Sequence, residues 1–315
     1  MLRFLTRLQI DDDAWNLCVS TASNPLIYGH TWYLDAVTDL ADWKWEGLVL
    51  SDETGQYVAV LTVPLRRRWG FWVVYQPFFC QFLALFSAQP IDVVPFLEAV
   101  VKRYWYASKW HLLLNQPLVA LPRQVRCQIM HTHVLPLADD SRVGYTADRN
   151  MNLRRATRRI DNVPDWRVEN STDIEPLIRL FRENHAGEIG VAEWSYGLFR
   201  SLFSSLQQRG LGTLRYAWAD GQIVAGGLFV EQHQRVIYLF NAANAAGRRL
   251  NARSLLIDEL IQTYPKKATP EPTLLDFESP EKQSVVAFYE SFGAQPQAYS
   301  VLSWNRLWGA NKSTV

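Results

Sequence analysis

Alternation of apolar and polar residues is clearest in the second half of the chain. Leu214, Tyr216 and Trp218 alternate with Arg215, Ala217 and Ala219, which predicts a strand with one buried face. Asp220-Gly221 is a hairpin turn signal, so Gln222 to Glu231 is expected to return as a strand and Arg235 to Ala242 to form the next. Beyond this meander the period changes from two to that of a helix over Asn251 to Tyr264. A strand over Thr273 to Phe277, a helix over Ser284 to Phe292 and a strand over Ala298 to Trp304 are expected after it. In the second of these helices Val285, Val286, Phe288, Tyr289 and Phe292 fall at helical spacing, and Gly293 stands where left-handed geometry stops a helix. Ahead of the meander, Ile174 to Glu183 follows Asp173 as a helix, and Ala192 to Gln208 forms another that ends at Gly210.

The first half repeats this order in weaker form: a helix over Thr31 to Asp39, strands over Trp45 to Leu50 and Tyr57 to Leu65, then Phe71 to Tyr75, a helix over Pro95 to Tyr106 and a strand over Trp110 to Asn115. Trp32 and Trp194 each open a helix ahead of a meander. The stretch from Trp69 to Pro90 is nearly apolar and approaches membrane-spanning length, but Gln76-Pro77 and Gln81 divide it. Its halves, Phe71 to Tyr75 and Phe79 to Phe86, read as a strand and a second buried segment, with no transmembrane helix. The polar, basic segment Asp148 to Asp161 lies between the copies and has a helical composition. The pattern predicts a duplicated, mixed α/β domain.

Composition narrows this further. A chain of 315 residues suggests about two domains, and 48% hydrophobic residues with 13 Trp, 13 Tyr and 15 Phe supply two cores. With 32 basic and 31 acidic residues the net charge of +1 gives no global attraction to polyanions, so any phosphate site must be local. Cys18, Cys80 and Cys127 form no CxxC pair, and Met1 to Asp13 holds no apolar run long enough for a secretion signal, so a reducing cytoplasm is expected. A G-x-S-x-G elbow, a P-loop, an H-E-x-x-H helix and a dinucleotide fingerprint are all absent, which disfavours hydrolase, NTPase and dehydrogenase functions. His131-Thr132-His133 lacks the companion ligands of a metal site, and no metal is expected.

The segment Phe288-Tyr289-Glu290-Ser291-Phe292-Gly293-Ala294, leading into Tyr299-Ser300-Val301-Leu302, resembles the carboxy-terminal motif of the GNAT acyltransferase superfamily. In that motif the Tyr is often a general acid. Duplication around a basic helical connection, with Tyr28-Gly29-His30-Thr31-Trp32-Tyr33-Leu34, Gln76-Pro77-Phe78-Phe79-Cys80-Gln81 and Asp276-Phe277-Glu278-Ser279, resembles the FemABX-like proteins. The resemblance implies a mixed α/β (α+β) fold of two tandem GNAT-like domains, each a mostly antiparallel sheet flanked by helices. The expected boundaries are 1–147, a connecting helix over 148–164, and 165–315 with the active site.

Amine acylation needs a donor pocket, a proton acceptor for the amine and a proton donor for the leaving group. The resemblance casts Tyr289 as that donor, although its spacing also fits a core aromatic beside Phe288 and Phe292. Asp276 and Glu278, two apart on a strand end, share a face and are candidates to orient or deprotonate the amine; strand-end acids also serve as helix caps. Arg248, Arg249, Asn251, Arg253 and Ser254 occupy the loop and helix start where the family cradles a donor's pyrophosphate. Asn251 and Arg253 stand where its glycines are expected, and a solvated basic loop is the other reading. His185 and Glu188 lie in a Gly-containing loop and are candidates for substrate binding. Arg154 and Arg158, four apart on one helix face, are candidate contacts to tRNA or another phosphate-bearing substrate, or a ridge neutralised by nearby acids. The expected activity is transfer of an acyl or aminoacyl group from acyl-CoA or aminoacyl-tRNA to a small-molecule or peptide amine. The alternative is a silent binding protein for an envelope-precursor, peptide or polysaccharide ligand.

Overall fold

The computed structural model describes residues 1–114, 121–137, 141–185, 192–265, 272–280 and 282–306. The chain divides into two units, Met1–Met130 with Ala298–Val315, and His131–Gln297. This division differs from the expected spans in two places. The first unit takes its last strand from the far end of the chain, and helix Ala147–Ile160, expected as a connection, lies inside the second unit.

The first unit contains strands β1 (Leu2–Thr6), β2 (Trp43–Ser51), β3 (Tyr57–Arg68), β4 (Phe71–Val74) and β6 (Tyr106–Leu112), completed by β13 (Gln295–Asn305), in the order β1-β2-β3-β4-β6-β13. Neighbours are antiparallel except for β4 and β6, which run parallel and meet only at Val74 and Ala107. The short strand β5 (Leu85–Ser87) pairs with β3. Helices α1 (Asp12–Ser20) and α2 (Thr31–Val37) pack on β3 and β2, and α3 (Val94–Arg103) precedes β6. Asp11 caps α1 by accepting from the Ala14 amide at 3.0 Å. The core holds Trp15, Trp45, Trp110, Tyr28, Phe82 and Phe86, all fully buried. The apolar stretch Trp69 to Pro90 forms β4, a bend and β5, and among the described residues no helix is long and apolar enough to cross a membrane.

In the second unit the order is β7-β12-β11-β10-β9-β8, built from the end of β7 (Arg126–Leu137), β8 (Arg167–Ser171), β9 (Gly212–Ala219), β10 (Gln222–Gln232), β11 (Arg235–Ala243) and β12 (Thr273–Asp276). Asp220 and Gly221 both take positive φ at the β9–β10 turn, the geometry that the Asp-Gly pair predicts. The basic segment forms α4 (Ala147–Ile160), capped by Thr146, whose hydroxyl accepts from the Arg149 amide at 3.2 Å. Helices α5 (Glu175–Asn184) and α6 (Trp194–Gln208) precede the meander; α7 (Ala245–Arg249) and α8 (Ala252–Thr263) follow β11, and α9 (Gln283–Glu290) follows β12.

Two features open this sheet. Strand β11 is nine residues long, yet its parallel pairing with β12 covers only Arg235, Ile237 and the residue between them. Beyond Ile237 and Asp276 the two strands part. On the other edge of β11 the register with β10 steps from Leu228↔Phe240 to Phe229↔Tyr238, leaving Leu239 as the extra residue of a bulge. The Val224 carbonyl would clash at 2.2 Å with any Cβ at Gly247, so α7 lies too close to β10 for another residue there.

Sequence patterning found the meander, α5, α6, α8, α9 and the repeated strands to within a few residues. It did not anticipate β1, α1, β7 or β8. Arg126 to Ile129, in the first half of β7, are exposed, and the edge strand β8 reads Arg-Val-Glu-Asn-Ser, so neither carries a clean apolar face. Asp276 ends its strand, and Glu278 takes a left-handed φ of 44°, so the expected shared strand face of these two acids is not formed.

Candidate active site

The last residues of β11 gather the expected site residues. Asn241 Oδ1 accepts from Arg253 Nη1 at 3.1 Å, and the Asn241 side chain also hydrogen-bonds Tyr289. Two residues on, the Ala243 carbonyl accepts from Arg248 Nη1 at 2.8 Å, and the Ala243 amide donates to His185 Nε2 at 3.5 Å. Side chains separated by up to about 100 positions in sequence therefore converge on one three-residue strand end beside the split.

Tyr289 is 5% exposed, stacked on Phe277 with ring centroids 4.4 Å apart, and belongs to the core cluster that includes Ile257 and Phe292. Burial pushes its phenol up to about 12, against the opposing influence of Arg253; the Glu278 charge adds to the rise and the Asn241 hydrogen bond reduces it. At neutral pH it is a protonated donor. The two readings of Tyr289, core aromatic and polar site residue, thus describe one side chain: its ring packs and its hydroxyl meets Asn241.

Asp276 does something other than expected. It is fully buried, its Oδ1 accepts from Thr132 Oγ1 at 2.7 Å and from the Glu278 amide at 3.0 Å, and its Oδ2 accepts from Arg235 Nε at 2.9 Å. A buried carboxylate this fully engaged does not handle a substrate amine; it shapes the strand end and turns Glu278 outward from the ladder. Glu278 is half-buried, and its charge reaches Tyr289.

The donor-loop residues separate into two groups. Asn251 adopts φ 56° and ψ 33°, the left-handed conformation that glycine would supply and that Asn tolerates best among other residues. Arg248 and Arg249 are exposed, and Arg253 is half-buried over the Phe288 ring at 5.6 Å. Ser254 is buried, and its hydroxyl accepts from Arg149 Nη1 at 2.7 Å. Arg154 and Arg158 are exposed on α4, and Arg159 Nη1 donates to the Arg249 carbonyl at 3.0 Å, tying that helix to α7. Among the described residues no carboxylate lies within ion-pair distance of Arg154, Arg158 or Arg159. Glu188 lies outside the described residues.

Three site residues carry no local sequence signal. Asn241 is one polar residue in a strand. Tyr238 lays its ring over Gly227, where a Cβ would approach it to 2.7 Å, and its buried hydroxyl has no partner among the described residues. Arg149 reads as one more arginine of the basic run, but it is 8% exposed. It lies over Phe288 and Phe292 at 4.6 and 4.3 Å and donates to Ser291 Oγ at 2.9 Å as well as to Ser254. Burial pulls its proton affinity down, with the nearby Tyr145 and Asp258 acting against that. It fastens the first turn of α8 to the end of α9.

Residues 147–271 match the family model described as Acetyltransferase (GNAT) domain. No curated protein matches the chain in sequence. Among solved structures the chain is similar to FemX, with a TM-score of 0.64 at 11% identity over 95% of this chain and 96% of that one. It is also similar to a tandem GNAT protein from the clavulanic acid biosynthesis pathway, with a TM-score of 0.53 at 13% identity over 96% and 98%. A third likeness is to L-PGS from Bacillus licheniformis, with a TM-score of 0.51 at 12% identity over 94% and 91%. At these identities the likeness is one of fold: the chain has a tandem GNAT-like architecture, and the resemblance to the GNAT superfamily and its FemABX-like members holds at that level.

Proposed function

We propose that the second unit transfers an acyl or aminoacyl group from an activated donor to an amine, at the split between β11 and β12. The observation that carries this reading is the convergence of Tyr289, Arg253, Arg248 and His185 on Asn241 to Ala243, in the unit whose residues match the GNAT family model. The amine nitrogen attacks the donor carbonyl carbon, the carbon–sulfur or carbon–oxygen bond to the leaving group breaks, and Tyr289 gives its proton to the departing thiolate or alkoxide. Glu278 takes the amine proton. The bulge at Leu239 removes one backbone amide from the ladder beside the split, which suits it to hold the carbonyl oxygen as negative charge develops. Exposed Arg248 and Arg249, with Asn251 in the glycine-like conformation, fit a donor phosphate, whether of acyl-CoA or of an aminoacyl-tRNA. The exposed arginines of α4, Arg154 and Arg158 among them, fit the longer phosphate backbone of the second donor. A cytoplasmic location belongs to the same proposal.

Burial of Tyr289 supports a second reading, a silent binding unit. Incubation with acetyl-CoA and a panel of amines, followed by mass spectrometry, separates the two: a product mass increased by the acyl group supports transfer. Stabilisation by a glycan or peptide, with no product from acetyl-CoA or charged tRNA, would leave the binding protein.

A further inference from the structure

The first unit carries an exposed aromatic patch that its core does not explain. Strands β3 and β4 are joined by Trp69 and Gly70 at φ 50° and 82°, a two-residue hairpin turn with both central residues left-handed. Asn-Gly is the pair that fits such a turn, and a bulky side chain at positive φ is a strained choice. Trp69 is nevertheless 70% exposed, and Phe71 beside it is 59% exposed. A residue that strains its backbone and leaves its ring in water does not serve the fold. Trp105 and Tyr106, half-buried where β6 begins, support both rings. Trp69 meets Tyr106 at 5.5 Å and Phe71 meets Trp105 at 5.9 Å, each edge to face.

Basic side chains surround the patch. Arg67 and Arg68 are exposed and, as successive strand residues, point to opposite faces of the hairpin. Arg68 lies over the Tyr75 ring at 5.7 Å, and the amide of exposed Arg306 donates to the Trp105 carbonyl at 2.9 Å. Among the described residues none of these three arginines has a carboxylate within ion-pair distance. Residues 307–315, which follow Arg306, contain no Asp or Glu to offset them. Asp42 and Glu46, just before and within β2, are already paired, with Arg66 and with Lys44 and Arg103.

Size and geometry favour a membrane over a second copy or a nucleic acid. Trp69 and Phe71 together present on the order of 300 Å², far short of the roughly 800 Å² per partner of a stable protein interface. Rings at 82° and 84° to their neighbours form no parallel set of platforms on which successive bases could stack. Trp, Tyr and Arg side by side suit the headgroup level of a bilayer, where aromatic rings settle and cations meet anionic lipid. We infer that the β3–β4 tip docks on an anionic lipid surface, with Trp69 and Phe71 at the headgroup boundary and Arg67, Arg68 and Arg306 on lipid phosphates. This docking is separate from transfer at the split, and either proposal can fail alone.

The test is co-sedimentation of the full chain with vesicles of phosphatidylcholine, with and without an equal share of phosphatidylglycerol, at about 50 and about 500 mM salt. Binding should be at least tenfold tighter to the anionic vesicles and should weaken several-fold at the higher salt. Trp69→Asn installs the pair that the turn prefers, so the melting temperature should hold or rise while vesicle binding falls at least tenfold. Arg67→Gln combined with Arg68→Gln should weaken binding to the anionic vesicles about tenfold and leave binding to phosphatidylcholine unchanged. No binding to anionic vesicles overturns the proposal, as do equal binding to both vesicle types and undiminished binding by folded Trp69→Asn. A dimer that Trp69→Asn dissociates, without vesicle binding, would overturn it in favour of a second copy. Binding to an oligo(dT) strand but not to vesicles would overturn it in favour of a nucleic acid.

Discussion

The two units each place a parallel strand beside a meander, and they treat the resulting split in opposite ways. In the first unit β4 stops at Val74, and the chain from Tyr75 to Leu83 runs on into the space beside β6. There the Gln76 amide donates to the Lys109 carbonyl at 3.0 Å and the Leu83 amide to His111 at 2.9 Å, while Leu113 donates back to Leu83 at 2.8 Å. The Gln76 side chain accepts from the His111 amide at 3.1 Å and donates to the Cys80 carbonyl at 2.7 Å. The Gln-Pro motif is thus a plug. In the second unit β11 runs six residues past its last pair with β12, and those residues carry Tyr238, Asn241 and the contacts of Ala243. One geometry, closed by hydrogen bonds in one unit and lined by polar side chains in the other, accounts for the candidate chemistry lying in the second.

Removing the Tyr289 hydroxyl tests the open split most severely. If it supplies the leaving-group proton, Tyr289→Phe should lower kcat by about 100-fold or more with the melting temperature nearly unchanged; unchanged turnover would reassign it to the core. Arg149→Met should come next. Loss of its bonds to Ser254 and Ser291 is expected to cost about 1–3 kcal/mol in denaturant unfolding, and to reduce kcat more than it raises KM, because α8 and α9 lose their shared fastening. A purely structural role would leave kcat per folded molecule intact.

Gln76→Ala addresses the plug. It should cost about 0.5–1.5 kcal/mol for each bond lost while leaving the specific activity of the folded protein alone, and a fall in kcat would show that the first unit takes part in the reaction. The smallest effect is a pH dependence confined to the first unit. Burial raises the Glu46 carboxyl, but hydrogen bonds from Lys44 and Tyr104 and the charges of Lys44 and Arg103 outweigh it and hold it below the usual glutamate range. Its stabilisation is present above the unfolded value, about 4.3, and disappears as pH falls through the lower folded value. Glu46→Gln should flatten that acid limb in a series of melting curves; an unaltered limb would assign it to other carboxylates.

Much of this was legible in one dimension because helices and half-buried strands impose periods. The Asp220-Gly221 turn, the helix carrying Tyr289 and its stop at Gly293 follow from spacing and from the φ of 85° that glycine accepts. The site was legible only in part. Tyr289, Arg248, Arg253 and His185 do meet at one strand end, whereas Asp276 and Ser254 are taken up by Arg235 and Arg149. Composition could not distinguish Arg149 from Arg154, since both sit in the same basic run and only packing buries one of them.

The sequence by itself determined the order of most elements, their duplication and the residue types available for acyl transfer, because these depend on local period, turn chemistry and covalent neighbours. Only the tertiary structure decided where β11 leaves β12, which carboxylate is spent on an internal arginine and which split is plugged. Those outcomes depend on hydrogen-bond partners and burial far apart in the chain, and a buried polar group takes whichever partner the fold brings within about 3 Å.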